Sequence, residues 1–199
     1  RSRLFVKQPA SAAHIYGKRR VGAEAFTTIG PQWERDPWQL KPTFDREACE
    51  GLNLVFLHTL TCSPQREGVP GQEYFAGTHL NPNITWWEQA GAFTGYMNRC
   101  QFMLQQGRFV ADAAYYYGDL VPNFVRHKET DPAHVLPGYD YDVCNTEVIL
   151  ERMEAENGRI VLPDGMSYRL LVLPDRRIMR LAVLKKVARL VETVLTADG

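Results

Sequence analysis

Two apolar runs, VGAEAFT at 21–27 and LNLVFLHTL at 52–60, alternate with helical patterns, and that alternation restricts the fold more than any other feature of the chain. The first run is too short for a helix that buries itself. Its small, branched and aromatic residues suit a strand with little water around it. Residues 8–17 (QPASAAHIYG) predict a short helix, with Pro9 in the first turn, three alanines and Gly17 as the stop. Phe44 to Gly51 predicts a second helix, with Asp45, Glu47 and Glu50 on its polar face, and the 52–60 run a buried strand ending at His58. The order helix, strand, loop, helix, strand is that of a parallel α/β sheet or barrel.

In such folds chemistry gathers where strands end at their C-terminal side. Glu24 and His58 both sit near such ends. A glutamate in an apolar strand has to be paired, hydrogen-bonded or protonated, and desolvation raises its pKa toward that of a general acid. The competing reading is a glutamate at a strand end that faces solvent or a structural arginine. Between the two runs lies a loop, Ile29 to Pro42, with three prolines and with Trp33 and Trp38, which suit either sugar stacking or anchoring of the loop. A second polar loop, Thr61 to Pro82, delivers His79, Asn81 and Asn83. Thr85 to Gln106 predicts a long helix in which Thr85 and Glu88 form a capping box, a structural role for Glu88 beside a catalytic one.

The pattern changes near residue 108. Arg108 to Tyr117 predicts a new strand, followed by a polar stretch with Pro122, Pro132 and Pro137, then a helix over Asp142 to Met153. Arg159 to Leu162 and Tyr168 to Leu173 flank the turn signal Pro163-Asp164-Gly165 and read as a hairpin or edge strand leading into a buried strand. Met179 to Leu195 has the apolar spacing of an amphipathic helix. An α/β unit is expected to continue into another strand after it.

Charge gives no general case for a nucleic-acid partner or an anionic membrane: the formal net charge is +0, with 23 basic and 23 acidic residues. Arg1, Arg3, Lys7, Lys18, Arg19 and Arg20 all precede the first acid, Glu24, without aromatic interleaving, and read as a solvated face. No apolar run reaches the length of a bilayer span. The chain begins with Arg1 and no initiator Met, so the natural N-terminus is expected upstream. Cys49, Cys62, Cys100 and Cys144 show no CxxC spacing, which argues against a zinc site or disulfide scaffold. Three of the four are expected to be buried thiols. His14 reads as a satisfied core or surface residue. GxGxxG, P-loop, nucleophile-elbow and HExxH motifs are absent.

What stands out is the block GTHLNPNITWWE beside Glu24 and His58. Histidine and asparagine bond sugar hydroxyls, and an indole face packs on the apolar side of a sugar ring. Trp86 and Trp87 at a helix start also suit a core. The stretches KQPASAAHIYGK leading into VGAEAFT, LNLVFLHT, GTHLNPNITWWE, RCQFMLQQGRFVADAAYYYGD, PGYDYDVCN and GRIVLPDGMSYRLLVLP closely resemble the α-L-rhamnosidases of glycoside hydrolase family 106. The resemblance covers about residues 7–190.

That resemblance implies an inverting hydrolase with a (β/α)8 TIM-barrel catalytic domain, a bound calcium, and further β-rich and α/β domains. Residues 1–107 then correspond to the C-terminal portion of the barrel, and 108–199 to a partial flavodoxin-like or amidotransferase-like α/β domain. Glu24 inherits the role of general acid. The base carboxylate and most calcium ligands are expected on barrel strands outside this chain, so the piece alone is expected to be inactive. His58, His79, Asn81, Trp86, Trp87 and Glu88 are the expected substrate-binding residues, with a rhamnose-containing oligo- or polysaccharide as partner and a periplasmic or secreted location. Two other readings stand beside this one: a carbohydrate-binding relative that has lost hydrolysis, and a flavodoxin-like redox or regulatory protein. No phosphate-binding loop follows the 108–117 strand, which weakens the last.

Overall fold

The computed structural model describes residues 4–30, 32–126 and 137–197, apart from the side chains of 4, 5 and 194–197. Arg1, Arg3, Pro31 and Pro132, and the side chains of Val194 and Leu195 in the expected amphipathic stripe, lie outside the described residues. The fold is mixed α/β and divides into two compact units, residues 20–107 and residues 1–19 with 108–199. Residues 1–19 therefore group with the chain after 108, where a single division at 107/108 was expected.

In the unit of residues 20–107, strand β1 (Gly22–Ala25) runs parallel to β2 (Leu54–Leu57), with Glu24 in register with Phe56. Helices α2 (Pro37–Cys49) and α3 (Ala90–Leu104) follow the two strands. The strand–helix–strand–helix order read from the pattern is present, with shifted boundaries. Helix α2 starts at Pro37 because Asp36 caps it, its side chain accepting from the Gln39 amide at 3.0 Å, and proline suits the first helical position. Prolines 37 and 42, expected in a loop, therefore lie in the helix. The capping box expected at Thr85 does not form. Trp87–Gln89 is a 3-10 turn and α3 begins at Ala90 with no side-chain cap.

Strand residues alternate between faces. Val55 and, just beyond β1, Phe26 pack against the helix core of Leu40, Phe44, Phe93 and Met97. Gly22, Glu24, Leu54 and Phe56 share the opposite face: a Cβ placed on Gly22 would meet the side chains of Phe56 and Leu54. No described element covers that face, and Phe56 is 58% exposed. This corrects the expectation of a fully buried β2. Its outer edge is held by Gln101 of α3 and by Gln105 just after it, with Gln101 Oε1 accepting from the Val55 amide at 2.6 Å and Gln105 Nε2 donating to the Asn53 carbonyl at 2.6 Å.

The other unit is built on three parallel strands in the order β4 (Tyr141–Cys144), β3 (Ala113–Tyr116), β8 (Leu170–Val172). Every residue of β3 is buried, as expected of a central parallel strand covered on both faces. Ala114 and Tyr116 join one core with Cys144, Val148, Ile149 and Tyr168, while Ala113 and Tyr115 join the other with Val125 and Tyr141. Helix α1 (Leu4–Ile15) packs on β4 and carries Pro9 in its interior rather than its first turn.

The helix expected over 142–153 is instead β4 followed by a short π-helical turn, Val148–Arg152. The hairpin expected around Pro163-Asp164-Gly165 is present as β6 (Arg159–Val161) paired antiparallel with β7 (Ser167–Tyr168). Strand β5 (Glu154–Glu156) lies on the other side of β6. Helix α4 spans Leu181–Ala197.

Two surface expectations are also corrected. Lys7 is not on a solvated face: it is 1% exposed and donates to Asp140 Oδ1 at 2.7 Å. Of the four cysteines only Cys144 is buried, and burial pushes its thiol up to about 12; Cys49 and Cys62 are exposed.

Candidate functional site

The C-terminal ends of β1 and β2 are fastened together by residues 76–79. The Gly77 amide donates to the Thr28 carbonyl at 2.7 Å, and the Thr78 amide lies 2.9 Å from the Phe26 carbonyl and 3.0 Å from that of His58. The Thr59 amide returns a bond to the Thr78 carbonyl at 3.0 Å. Gly77 is the one residue type that fits between the strands. Its φ is 96°, and a Cβ there would stand 2.7 Å from His58 Nδ1 and 3.0 Å from the His58 carbonyl oxygen.

Glu24 lies at this end of β1, on the face that the helices leave open. Its side chain is 61% exposed, so the apolar strand around it does not desolvate the carboxylate as expected. Ala23 and Ala25 turn toward the helices while Glu24 turns away. Its Oε1 accepts a 2.6 Å hydrogen bond from the Thr27 hydroxyl, and His58 Nδ1 stands 4.0 Å from the same oxygen. That Nδ1 is buried and has no hydrogen-bond partner. The Tyr74 ring meets the His58 ring edge-on at 5.9 Å. Phe26, between Glu24 and Thr27, has φ 65°, a left-handed conformation that costs a residue with a side chain about 1–2 kcal/mol.

The other expected residues divide into held and free ones. His79 is 1% exposed. The Tyr74 amide donates to its Nε2 at 3.2 Å, so Nδ1 carries the hydrogen and faces Thr61 Oγ1 at 3.3 Å. Trp33 meets its ring edge-on at 4.4 Å. Burial holds the His79 pKa below the usual histidine value against the opposing charge of Glu73. Asn81 is 2% exposed, its Nδ2 donating to the Thr61 carbonyl at 3.1 Å and its Oδ1 accepting from the Asn83 amide at 2.9 Å. Both residues spend their polar atoms fastening the 61–82 loop.

Trp86 donates to the Arg35 carbonyl at 3.0 Å and packs against the helix core. Trp87 and Glu88 are exposed in the 3-10 turn that precedes α3. Glu24 and His58 are therefore the expected residues that the structure brings together with a polar atom left to spare.

Thr27, Tyr74 and Gly77 had no signal of their own in the sequence. Thr27 stands three positions beyond Glu24, a spacing that places two residues on opposite faces of a straight strand. A groove between α2 and α3, lined by apolar residues such as Phe44, Tyr96 and Met103 together with Asp45 and Arg99, includes none of the expected site residues. Among the described residues no three His, Cys, Asp or Glu side chains converge to hold a metal ion.

The chain is similar over 96% of its length to a solved structure of a rhamnosidase from Novosphingobium sp. PP1Y, with 32% identity and a TM-score of 0.80. It is 37% identical over 189 residues to a protein of Formosa agariphila named "Putative beta-glucuronidase". It spans 18% of the solved rhamnosidase and 15% of the Formosa protein. A family model described as alpha-L-rhamnosidase, that of glycoside hydrolase family 106, matches residues 4–199. The chain belongs to this alpha-L-rhamnosidase family.

Proposed function

We propose that the chain is part of a longer glycoside hydrolase that removes terminal α-L-rhamnosyl groups with inversion, and that Glu24 is its general acid. The observation that carries the proposal is the open face. A parallel strand pair has helices on one side and, on the other, a carboxylate at the C-terminal end with nothing of the described chain above it. A segment of a (β/α)8 barrel would present this arrangement, its inner face and strand C-termini holding the site. The family match and the small share of each relative that the chain spans support a larger protein around it. Residues 108–199 with α1 would then form part of a following α/β domain.

In this reading Glu24 gives its proton to the glycosidic oxygen as the bond to the anomeric carbon breaks. A second carboxylate, outside this chain, takes a proton from the water that attacks the opposite face of the sugar, with the two carboxyl groups about 6.5–9.5 Å apart. Glu24 is exposed here, and the rest of the protein and the bound sugar would cover it. The substrate is a rhamnose-containing oligo- or polysaccharide, and such a substrate favours a periplasmic or secreted location. No described helix is long and apolar enough to cross a membrane.

The test is Glu24→Gln in the full-length protein carrying this chain. Turnover of a natural rhamnosyl oligosaccharide is expected to fall by roughly 10²–10⁴, the scale of general acid catalysis. An activated aryl α-L-rhamnoside, whose leaving group needs little protonation, is expected to lose less. Equal loss on both substrates would contradict the acid role, and near-normal oligosaccharide turnover would end it. The name of the Formosa relative favours one second reading, a glycosidase acting on a β-glucuronide. Turnover of an aryl β-glucuronide in place of the rhamnoside would establish that reading instead.

A further inference from the structure

We propose that Thr27 is a positioning residue for Glu24, and that the left-handed backbone at Phe26 exists to bring it there. The inference rests on the catalytic reading of Glu24 given above. A carboxylate on an open face turns freely about its last side-chain bond, because that torsion has no sharp minima. Glu24 has instead one oxygen engaged. Thr27 donates to Oε1 at 2.6 Å, and His58 Nδ1 stands 4.0 Å from that same atom. With Oε1 accepting the threonine hydrogen, the transferable proton is carried on Oε2, which has no hydrogen-bond partner among the described residues. The pair of neighbours thus decides which oxygen faces the sugar.

An extended chain could not make this contact, since positions 24 and 27 would point to opposite faces. Phe26 at φ 65° breaks that alternation one residue after β1 ends. A bulky side chain is an outlier there, and such a conformation persists only where its surroundings over-determine it. They do so here. The Phe26 ring lies 6.0 Å from that of Phe93 and packs against the helix core, and its carbonyl accepts the Thr78 amide at 2.9 Å. A turn-closing bond alone would need neither the aromatic anchor nor a carboxylate as its acceptor.

Two variants in the full-length protein, Thr27→Val and Thr27→Ser, separate positioning from stability. Thr27→Val removes the hydroxyl at nearly constant shape and is expected to lower kcat on a rhamnosyl oligosaccharide about tenfold, with KM changed less than about twofold. The aryl rhamnoside should be affected less, and Thr27→Ser should restore the oligosaccharide rate. Wild-type kcat in Thr27→Val, a serine variant as slow as the valine one, or a loss that follows a fall in melting temperature would each overturn the proposal. Glu24→Gln measured alongside keeps two failures apart. An inactive Glu24→Gln with a fully active Thr27→Val overturns the positioning role alone, whereas an active Glu24→Gln overturns the catalytic reading and this proposal with it.

Discussion

The two units hold a carboxylate at their parallel strands in different ways. In the unit of residues 1–19 and 108–199 the parallel sheet is closed on both faces, and its interior charges are matched. Asp142 is 0% exposed, with His14 Nδ1 at 2.8 Å from one oxygen and the Tyr168 hydroxyl donating to the other at 3.0 Å. Burial and the adjacent carboxylate push the Tyr168 hydroxyl far above the usual tyrosine range. In the unit of residues 20–107 the sheet is open on one face. There an exposed carboxylate stands beside a histidine nitrogen that is buried without a partner. Asp142 thus has both oxygens partnered within the fold, whereas Glu24 keeps one oxygen, and His58 Nδ1 a lone position, for a partner outside the described residues under the proposed reading.

Substitutions on both sides test that difference. Asp142→Ala has the largest expected cost to stability. It strips His14 and Tyr168 of a common partner at the centre of a packed core, about 3 kcal/mol or more. Native-state hydrogen exchange at β3 and β4 reads it directly, and unchanged protection would mean that the triad is incidental.

His79→Gln comes next, at roughly 1–2 kcal/mol near pH 7.5 for two bonds that fasten the 61–82 loop. Its pH dependence has a definite sign. Burial lowers the folded-state pKa of His79 below its unfolded value of about 6.5, so the unfolded chain takes up the proton first. The contribution of the neutral ring is present above that value and is lost as pH falls below it. The gap between wild type and variant should therefore narrow from pH 7.5 to pH 5, and a constant gap would show that the ring does not titrate. Glu24→Gln, at the other extreme, should change stability by less than about 0.5 kcal/mol, because nothing covers it. A large loss would move Glu24 from the functional set to the structural one.

The parts of this architecture that were legible in the sequence are those written in local patterns. The two apolar runs gave β1 and β2, and the turn at Pro163-Asp164-Gly165 gave the β6–β7 hairpin. What was not legible depends on distant partners. Asp142 reads as the polar start of a helix until His14, 128 positions away, is seen beside it. Lys7 looks like one charge in a basic run, yet it is buried and paired with Asp140.

The apolar run around Glu24 located a strand but not which face was covered; Ala23 and Ala25 could mark the inner face of a half-covered strand as readily as a buried one. Histidine and asparagine in the GTHLNPN block looked like ligands for a sugar, but loops need the same chemistry to satisfy their own backbone, and His79 and Asn81 do that here. Prolines misplaced the start of α2 because Pro37 is a loop signal only when no N-cap precedes it.

The central claim is that the helix-free face of β1 and β2 is the substrate side. The most direct test is a crystal structure of the full-length protein with rhamnose bound. The sugar is expected against the face formed by Gly22, Glu24, Leu54 and Phe56, with its anomeric oxygen within hydrogen-bond reach of Glu24 Oε2 and Thr27 still on Oε1. Apolar side chains from the rest of the protein packed over those four residues, or a sugar bound away from them, would contradict it.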